Sequence, residues 1–238
     1  MVEVVPYVFA EAVREFWETR EKQATSQRER GGADQGGRGA VTGGKQMVGF
    51  ARKIMELMRA VGVQESDIYV REKRELPGFF RATKDWDLVV ISRGKLLTAV
   101  ELKAQVGPSF GNNFNNRTEE ALGSSLDLWT AYREKAFKAS PQPWLGYLFL
   151  LEDCPESRTP VKVREPHFPV FPEFRVASYA RRYELFCRKM VLERRYSEAC
   201  FMLANKTKAR SKRNYAEPAE DLTAARFLTG LLGHVTRA

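Results

Sequence analysis

The sequence contains few of the residues that build zinc sites and histidine-based catalytic triads. It has two histidines, His167 and His234, and three cysteines, Cys154, Cys187 and Cys200, with no CxxC spacing and no Cys/His cluster. Zinc sites draw on several such ligands, and serine and cysteine hydrolases use a histidine base. Both classes are therefore disfavoured. Unclustered cysteines are typical of free thiols in a reducing cytoplasm.

Long apolar runs are also absent. No stretch approaches the ~18 residues of a membrane helix, and the amino terminus lacks the basic-then-apolar order of a signal peptide. With 43% hydrophobic and 29% charged residues, the composition is that of a soluble globular protein. We expect one cytoplasmic domain over residues 1–238, with no membrane contact.

Positive charge is concentrated in one part of the chain. The net charge is +9, and between Arg158 and Arg213 there are 15 Lys/Arg against 5 Asp/Glu, a local net of +10. The remainder is therefore nearly neutral. A concentrated positive field favours a polyanionic partner such as nucleic acid. A basic face that serves only solubility is the alternative.

Glycine is concentrated in residues 31–44, which hold seven of the 17 glycines and predict a flexible loop. Residues 39–46, GAVTGGKQ, differ from the phosphate-binding pattern GxxxxGK[ST] at the last position. Gln46 lacks the hydroxyl that binds magnesium there, and no apolar strand leads into the loop. We therefore expect no nucleotide cofactor.

Hydrophobic periodicity and turn residues predict the order of the elements. Helices are expected over residues 7–30, 47–61, about 116–138, about 177–205 and about 219–232, and strands over residues 67–74, 86–92, 96–102 and 144–151. Arg93-Gly94-Lys95 makes a tight connection between the second and third strands. The central part, residues 46–151, thus has the order helix, three strands, helix, strand (αβββαβ), with extra helices on either side.

Two carboxylates and a lysine stand at the ends of neighbouring predicted strands. Asp87 directly precedes the apolar LVVI, and Glu101-Leu102-Lys103 ends the next strand, with thirteen residues between Asp87 and Glu101. This order and spacing resemble the catalytic core of the PD-(D/E)xK nucleases, an α/β fold with a mixed central sheet flanked by helices. The resemblance implies that Asp87, Glu101 and the Leu102 carbonyl hold Mg²⁺, while Lys103 orients the attacking water or neutralises the phosphate. Solvated strand-end charges are the alternative.

Four further residues are candidates for this site. Asp85 competes with Asp87 as the first acid, but only Asp87 directly precedes the apolar strand. Gln105 continues the alternation past Lys103 and is either a site residue or a polar loop residue. A fourth acid often comes from the preceding helix in these nucleases, and Glu56 is the candidate for it. Gln46, near the start of that helix, is a candidate for supporting the site. For both residues an ordinary surface role is the alternative.

The stretch QVGPSFGNNFNNRTEEALGSSLDLW, residues 105–129, and the segment RRYELFCRKMVLERRYSEACF resemble the XhoI-type restriction endonucleases. The resemblance implies a homodimeric, Mg²⁺-dependent type II enzyme that cuts a palindromic duplex site, typically CTCGAG, and leaves 5′ overhangs. One departure is Trp86, which stands where the generic motif has proline. The rivals are a structure-specific or repair nuclease of the same fold and a non-catalytic DNA-binding protein.

Two segments are candidates for DNA contact. The first is an asparagine-rich loop whose amide and guanidinium groups suit adenine and guanine edges: Asn112, Asn113, Asn115, Asn116 and Arg117. Turn formation and capping are the alternative, with Asn116 and Glu119 as a capping box. The second is the basic helix and following loop over residues 177–213. Its arginines recur every seven residues and would track phosphates: Arg181, Arg188 and Arg195.

Overall fold

The computed structural model describes residues 5–29 and 46–237. Its α-helices are α1 (Ala10–Glu29), α2 (Val48–Ala60), α3 (Phe110–Arg133), α4 (Pro155–Arg158), α5 (Tyr179–Leu192) and α6 (Ala224–Val235). Its strands are β1 (Ile68–Tyr69), β2 (Glu75–Pro77), β3 (Thr83–Asp85), β4 (Leu88–Ser92), β5 (Lys95–Gln105), β6 (Trp144–Glu152), β7 (Glu198–Ala204) and β8 (Tyr215–Ala216). No described helix is both long and apolar enough to span a bilayer. The glycine-rich stretch 31–44 lies outside the described residues.

A six-stranded mixed sheet in the order β1-β4-β5-β6-β7-β8 forms the centre of the molecule. The strands β5, β6 and β7 run parallel, and the outer pairs β1-β4, β4-β5 and β7-β8 are antiparallel. Parallel strands end at one edge of a sheet, so the segments that leave β5, β6 and β7 emerge together. The predicted α/β class with a mixed sheet and flanking helices is confirmed.

Helices cover both faces of the sheet, because its central strands are apolar on both sides. On one face, α1, α2 and α6 bury residues such as Phe16, Ile54 and Phe227 against Leu148. On the other, α3 and α5 bury their apolar residues against side chains such as Phe149. The continuous apolar run of β6 has both of its faces buried, as its composition predicted. We call the face of the sheet covered by α1, α2 and α6 the α2 face, and the face covered by α3 and α5 the α3 face.

The predicted hairpin is confirmed, but the predicted first strand is much shorter. β4 and β5 are joined by Arg93 and Gly94, whose φ angles of 51° and 74° are those of a tight hairpin turn. The strand predicted over residues 67–74 is limited to Ile68–Tyr69. The residues that follow enter a separate two-stranded hairpin, β2–β3, which stands outside the main sheet.

The prediction of an asparagine-rich loop was wrong, since α3 begins at Phe110 and includes every one of these asparagines. The capping box proposed at Asn116 is therefore absent. Apolar contacts explain the difference: the Phe110 ring stacks on Tyr179 at 5.8 Å between centroids, and Phe114 packs edge-on against Tyr183 at 4.9 Å. Burial of these rings overrides the low helix propensity of asparagine.

The prediction of a long basic helix over about residues 177–205 was also wrong. α5 ends at Leu192, Arg194 adopts a left-handed φ of 53°, and the chain returns as β7 in the interior of the sheet. The apolar run CFMLA matches a buried strand as well as a helix, and periodicity does not separate the two over so short a length. As a consequence, Arg195 lies outside the helix that carries Arg181 and Arg188.

Candidate active site

Asp87 and Glu101 meet across the antiparallel pair β4–β5. Leu88 lies opposite Val100, which sets Asp87 against the stretch Glu101 to Lys103. The backbone N–H of Asp87 donates to the Val100 carbonyl at 3.1 Å. In return, the N–H of Leu102 donates to Oδ2 of Asp87 at 2.8 Å. The antiparallel register of the hairpin therefore fixes Asp87 at the place that the sequence predicted.

Glu101 is a buried carboxylate with both oxygens engaged. Its side chain projects to the α3 face, and the residue is only 1% exposed. The ammonium groups of Lys103 and Lys84 lie 3.1 and 3.2 Å from Oε1. The hydroxyl of Tyr196 donates to Oε2 at 2.8 Å. Because a buried carboxylate is costly unless it is paired, these partners hold Glu101 in its ionised form.

The pKa shifts in this group follow from burial and from the neighbouring lysines. Burial raises the pKa of Asp87 above its ordinary value, and the nearby Lys103 only partly offsets this. Burial also acts to raise the pKa of Glu101, but the charges of Lys103 and Lys84 outweigh it, so that this pKa is lowered. Burial opposes the charge of Lys103, yet Glu101 and Asp87 together raise its pKa.

Lys84 and Tyr196 belong to this site, and the sequence analysis missed both. Lys84 lies in β3, three residues before Asp87, and its ammonium sits 4.6 Å above the Trp86 ring. The alternation of Lys84 and Trp86 in KDWD was a weak signal that both share a side. Tyr196 follows the turn after α5, and its hydroxyl also lies 3.3 Å from the Ala121 carbonyl. Nothing in the sequence pairs it with Glu101.

The competing acid Asp85 points elsewhere, since it is exposed and bonds Arg74 at 2.6 Å. Gln105 is buried four residues beyond Glu101 on β5, where it accepts a hydrogen bond from the Tyr183 hydroxyl and not from a site residue. Glu56 is not part of the group: it is exposed on α2 and pairs with Lys53 at 3.2 Å. α2 also packs on the opposite face of the sheet from Glu101.

Gln46 is buried against α1 and does not contact Asp87 and Glu101, which we call the acidic pair. Its Oε1 accepts from Arg20 at 3.2 Å, and its Nε2 donates to Gln23 at 2.7 Å. These contacts place it among the residues that join the chain before α2 to α1. We find no contact between Gln46 and Asp87 or Glu101 among the described hydrogen bonds.

The asparagine and arginine candidates on α3 divide by helix face. Asn112, Asn115 and Asn116 are exposed, whereas Asn113 and Arg117 are half-buried toward the protein. Arg117 pairs with Glu120 at 2.6 Å. It also lies close enough to Lys103 for its charge to act on that ammonium. Of this set, Arg117 is thus the one whose charge acts on Lys103.

Two of the three arginines of the predicted basic stripe bind carboxylates of the same chain. Arg188 forms a two-pronged contact with Asp221, with distances of 2.6 and 2.8 Å, and Arg181 pairs with Glu184. The bond to Asp221 raises the pKa of Arg188. Arg195 is half-buried, and its carbonyl accepts from Trp129 at 2.9 Å. Arg188 is therefore engaged in holding α5 to the segment before α6.

The donor set at Asp87 and Glu101 fits a hard divalent cation. Mg²⁺ needs one or two carboxylates and keeps several waters, so two carboxylates with the Leu102 carbonyl suffice. In residues 5–29 and 46–237, no group of three or more His, Cys, Asp and Glu side chains is suited to hold a metal ion. Since two ammonium groups share Oε1 of Glu101, a cation there would replace one of them.

Comparison with known proteins shows which family the chain resembles. The family model described as "Restriction endonuclease XhoI" matches residues 26–217. The type II restriction enzyme BstVI of Geobacillus stearothermophilus is 59% identical over 209 residues, covering 86% of this chain and 93% of its own. The type II restriction enzyme XhoI of Xanthomonas vasicola is 46% identical over 184 residues, covering 76% and 73%.

A third relative is the type II restriction enzyme AbrI of Azospirillum brasilense, 51% identical over 159 residues, which cover 66% of this chain and 71% of that protein. No solved structure matches the chain. The matched region contains Asp87, Glu101 and Lys103, together with Lys84 and Tyr196. The chain therefore belongs to the XhoI restriction endonuclease family, a family of site-specific deoxyribonucleases.

Proposed function

We propose that this chain cuts duplex DNA as a Mg²⁺-dependent type II restriction endonuclease of the PD-(D/E)xK fold. The observation that carries the proposal is the buried Glu101 with Lys103 at 3.1 Å, set opposite Asp87 on the neighbouring strand. Membership of a restriction endonuclease family supports the reaction class. The geometry supports the assignment of these three residues to the reaction.

In this proposal Asp87, Glu101 and the Leu102 carbonyl would hold Mg²⁺, which would supply polarisation of the scissile phosphate and a lower pKa for a water molecule. Lys103 orients the attacking water with its ammonium or neutralises the phosphate. Tyr196 holds Oε2 of Glu101 in place, and burial keeps its hydroxyl protonated by raising its pKa. Arg117 adds positive charge beside Lys103, where the phosphate would lie.

The course of the sheet supports a DNA path along one edge. Lys103, Phe149 and Phe201 lie in register on the parallel strands β5, β6 and β7, so the three strands end at the same edge. The exposed basic segment that follows β7 therefore leaves the sheet at the edge where β5 ends, beyond Glu101, and Lys206 lies 3.7 Å from Glu21 of α1. Its basic residues are Lys206, Lys208, Arg210, Lys212 and Arg213. Such a segment suits the phosphates of a duplex that extends past the cleaved bond.

The proposal extends to the DNA site, the oligomeric state and the cellular location of the enzyme. A palindromic site, CTCGAG-like by resemblance, requires two active sites on two strands, which a symmetric homodimer supplies. We also propose a cytoplasmic location, which suits three free cysteines and a nuclease that acts on DNA entering the cell.

Digestion of a sequenced plasmid, with and without Mg²⁺, tests this function. We expect discrete fragments only with the metal, and mapping of the ends gives the site and the overhang. Asp87→Ala should abolish cleavage and keep DNA binding, while Asp85→Ala is the matched control because that acid pairs with Arg74 outside the site. Cleavage by Asp87→Ala would overturn the assignment, and cutting only of branched DNA would favour a structure-specific nuclease.

A further inference from the structure

The tip of the β2–β3 hairpin, residues 78–82, presents two neighbouring aromatic side chains to solvent. Phe79 is 52% exposed and Phe80 is 66% exposed, and their rings meet edge to face with centroids 5.0 Å apart. Single exposed apolar residues are ordinary, but an exposed pair of large rings at the tip of a hairpin indicates a contact surface.

The tip is held in a fixed shape by one carboxylate of α3. Asp127 is only 2% exposed, and its Oδ1 accepts from the backbone N–H groups of Phe79 and Phe80 at 2.7 and 2.8 Å. Its Oδ2 accepts from Nε of Arg81 at 2.8 Å. A Cβ at Gly78 would lie 2.5 Å from that same oxygen, so the approach requires glycine. The aromatic pair is therefore ordered before any partner arrives, which lowers the entropy cost of binding.

The charge around the pair favours a polyanion as the partner. Residues 71–84 contain five Lys/Arg and two Asp/Glu. Arg81 follows the aromatic pair directly, and its side chain is 46% exposed although it is bonded to Asp127. Aromatic side chains that stack on bases, next to arginines that meet phosphates, are a general means of gripping nucleic acid.

The hairpin is joined to the candidate active site at two points. Lys84 of β3 contacts Glu101, and the chain reaches Asp87 two residues after β3 ends. On α3, Asp127 lies six residues beyond Ala121, whose carbonyl is 3.3 Å from the Tyr196 hydroxyl. The rise of the helix from Ala121 to Asp127 is roughly 9 Å. This length corresponds to about three base-pair steps of about 3.4 Å each. The tip therefore lies within reach of a duplex cleaved at Glu101.

We propose that Phe79 and Phe80 form an aromatic wedge that enters the duplex a few base pairs from the scissile phosphate and stacks on a base that it displaces from the helical stack. Arg81 contacts a phosphate beside the wedge. This inference rests on the proposed function, because it requires duplex DNA at the acidic pair. Contact between two copies of the chain is the alternative use of the same surface.

The test uses the full-length protein, without divalent metal, and duplexes that carry 2-aminopurine at successive steps around the site mapped by plasmid digestion. The wild type should increase the fluorescence at one or two adjacent steps. Phe79→Ala and Phe80→Ala should remove that increase and weaken binding roughly 5- to 100-fold. Phe168→Ala is the matched control, because Phe168 is a phenylalanine outside the hairpin that is 84% exposed, and it should change neither reading.

Three results would overturn the wedge. The first is wild-type affinity and fluorescence in both hairpin variants, which leaves DNA cleavage itself intact. The second is a hairpin variant that sediments as a smaller species than the wild type in the absence of DNA, which assigns the pair to contact between copies. The third is a wild-type protein that neither binds nor cuts plasmid DNA, which removes the proposed function as well.

Discussion

At the scale of single residues, Asp87 and Glu101 are neighbours whose pKa values shift in opposite directions. Burial raises the pKa of Asp87 from its ordinary 3.8, whereas two lysines bring that of Glu101 below its ordinary 4.5 despite burial. A charged Asp87 therefore costs stability at neutral pH without metal, and a charged Glu101 adds to it. The two acids serve one site but contribute to the fold with opposite sign.

We predict opposite stability changes for the two amide variants. At pH 7 without metal, Asp87→Asn should raise the free energy of unfolding by about 0.5–2 kcal/mol. Glu101→Gln should lower it by about 3 kcal/mol, because it leaves two lysines beside a neutral group. Thermal or urea unfolding measures both, and neither variant should cut DNA.

The pH dependence of the free energy of unfolding checks the sign of these two stability changes. The cost of charged Asp87 is absent below pH 3.8 and develops as the pH rises through its raised pKa, so the gain in Asp87→Asn should vanish in acid. The contribution of Glu101 is complete above pH 4.5 and is lost as the pH falls through its lowered pKa. A destabilised Asp87→Asn at pH 7 would contradict this account.

We predict that Tyr196 acts on the reaction through Glu101. Tyr196→Phe removes one hydrogen bond of 2.8 Å and keeps the ring in the core. We expect a loss of roughly 1 kcal/mol in stability and a higher Mg²⁺ concentration for half-maximal cleavage, with unchanged metal-free DNA binding. A Mg²⁺ titration of cleavage measures the effect. If the half-maximal concentration stays at the wild-type value, Tyr196 only fills the core.

At the scale of elements, α3 connects the surroundings of Lys103 and Glu101 with the hairpin tip. Its first turns carry Arg117, its middle supplies the Ala121 carbonyl to Tyr196, and its last turns carry Asp127 to the hairpin tip. The buried rings of Phe110 and Phe114 hold its amino-terminal half to the protein. The exposed asparagines on this half are therefore presented by a fixed helix, and not by a loop.

This placement separates function from stability at Asn115. Asn115 is exposed in the helix, and alanine is the better helix former, so Asn115→Ala should keep or raise the free energy of unfolding, by up to about 0.7 kcal/mol. We predict that cleavage nevertheless falls, because the amide contacts DNA. Cleavage of the cognate site and of single-base variants, compared with thermal unfolding, tests this. Wild-type cleavage would mean that Asn115 has no contact with DNA.

At the scale of the whole molecule, positive charge is divided between internal pairing and free surface. The α5 arginines Arg181 and Arg188 bind carboxylates of the chain, whereas Lys208 and Arg210 are exposed at the edge where β5, β6 and β7 end. Part of the positive charge of residues 158–213 is thus available after β7. This differs from the stripe along one helix that the sequence predicted.

We predict that Lys208→Ala and Arg210→Ala each weaken binding to all duplex sequences alike and lower the salt slope of log K by roughly 0.9. Arg188→Ala is the comparison, since losing its bond to Asp221 should lower stability by about 1 kcal/mol and leave the salt slope unchanged. DNA binding by the three variants, measured over a range of salt concentrations, gives the slopes that test this prediction. A slope that changes only in Arg188→Ala would restore the helical stripe.

The sequence by itself determined the elements whose pattern is local. The apolar strands β4 and β6, the Arg93-Gly94 turn and the core face of α2 follow from periodicity and turn chemistry alone. Since the hairpin sets which residues lie opposite each other, the meeting of Asp87 with Glu101 was also contained in the sequence.

Only the tertiary structure decided what surrounds that pair. Tyr196 and Lys84 reach Glu101 from the turn after α5 and from a separate hairpin, and no local pattern links such distant positions. The asparagine-rich segment became a helix because burial of its aromatic rings outweighed local propensity. CFMLA became a strand because pairing within the sheet selected between two structures that its local pattern allows equally. Long-range packing is a property of the whole chain, so it fixed the partners of each charge, while the local sequence fixed only where the charges stand along the strands.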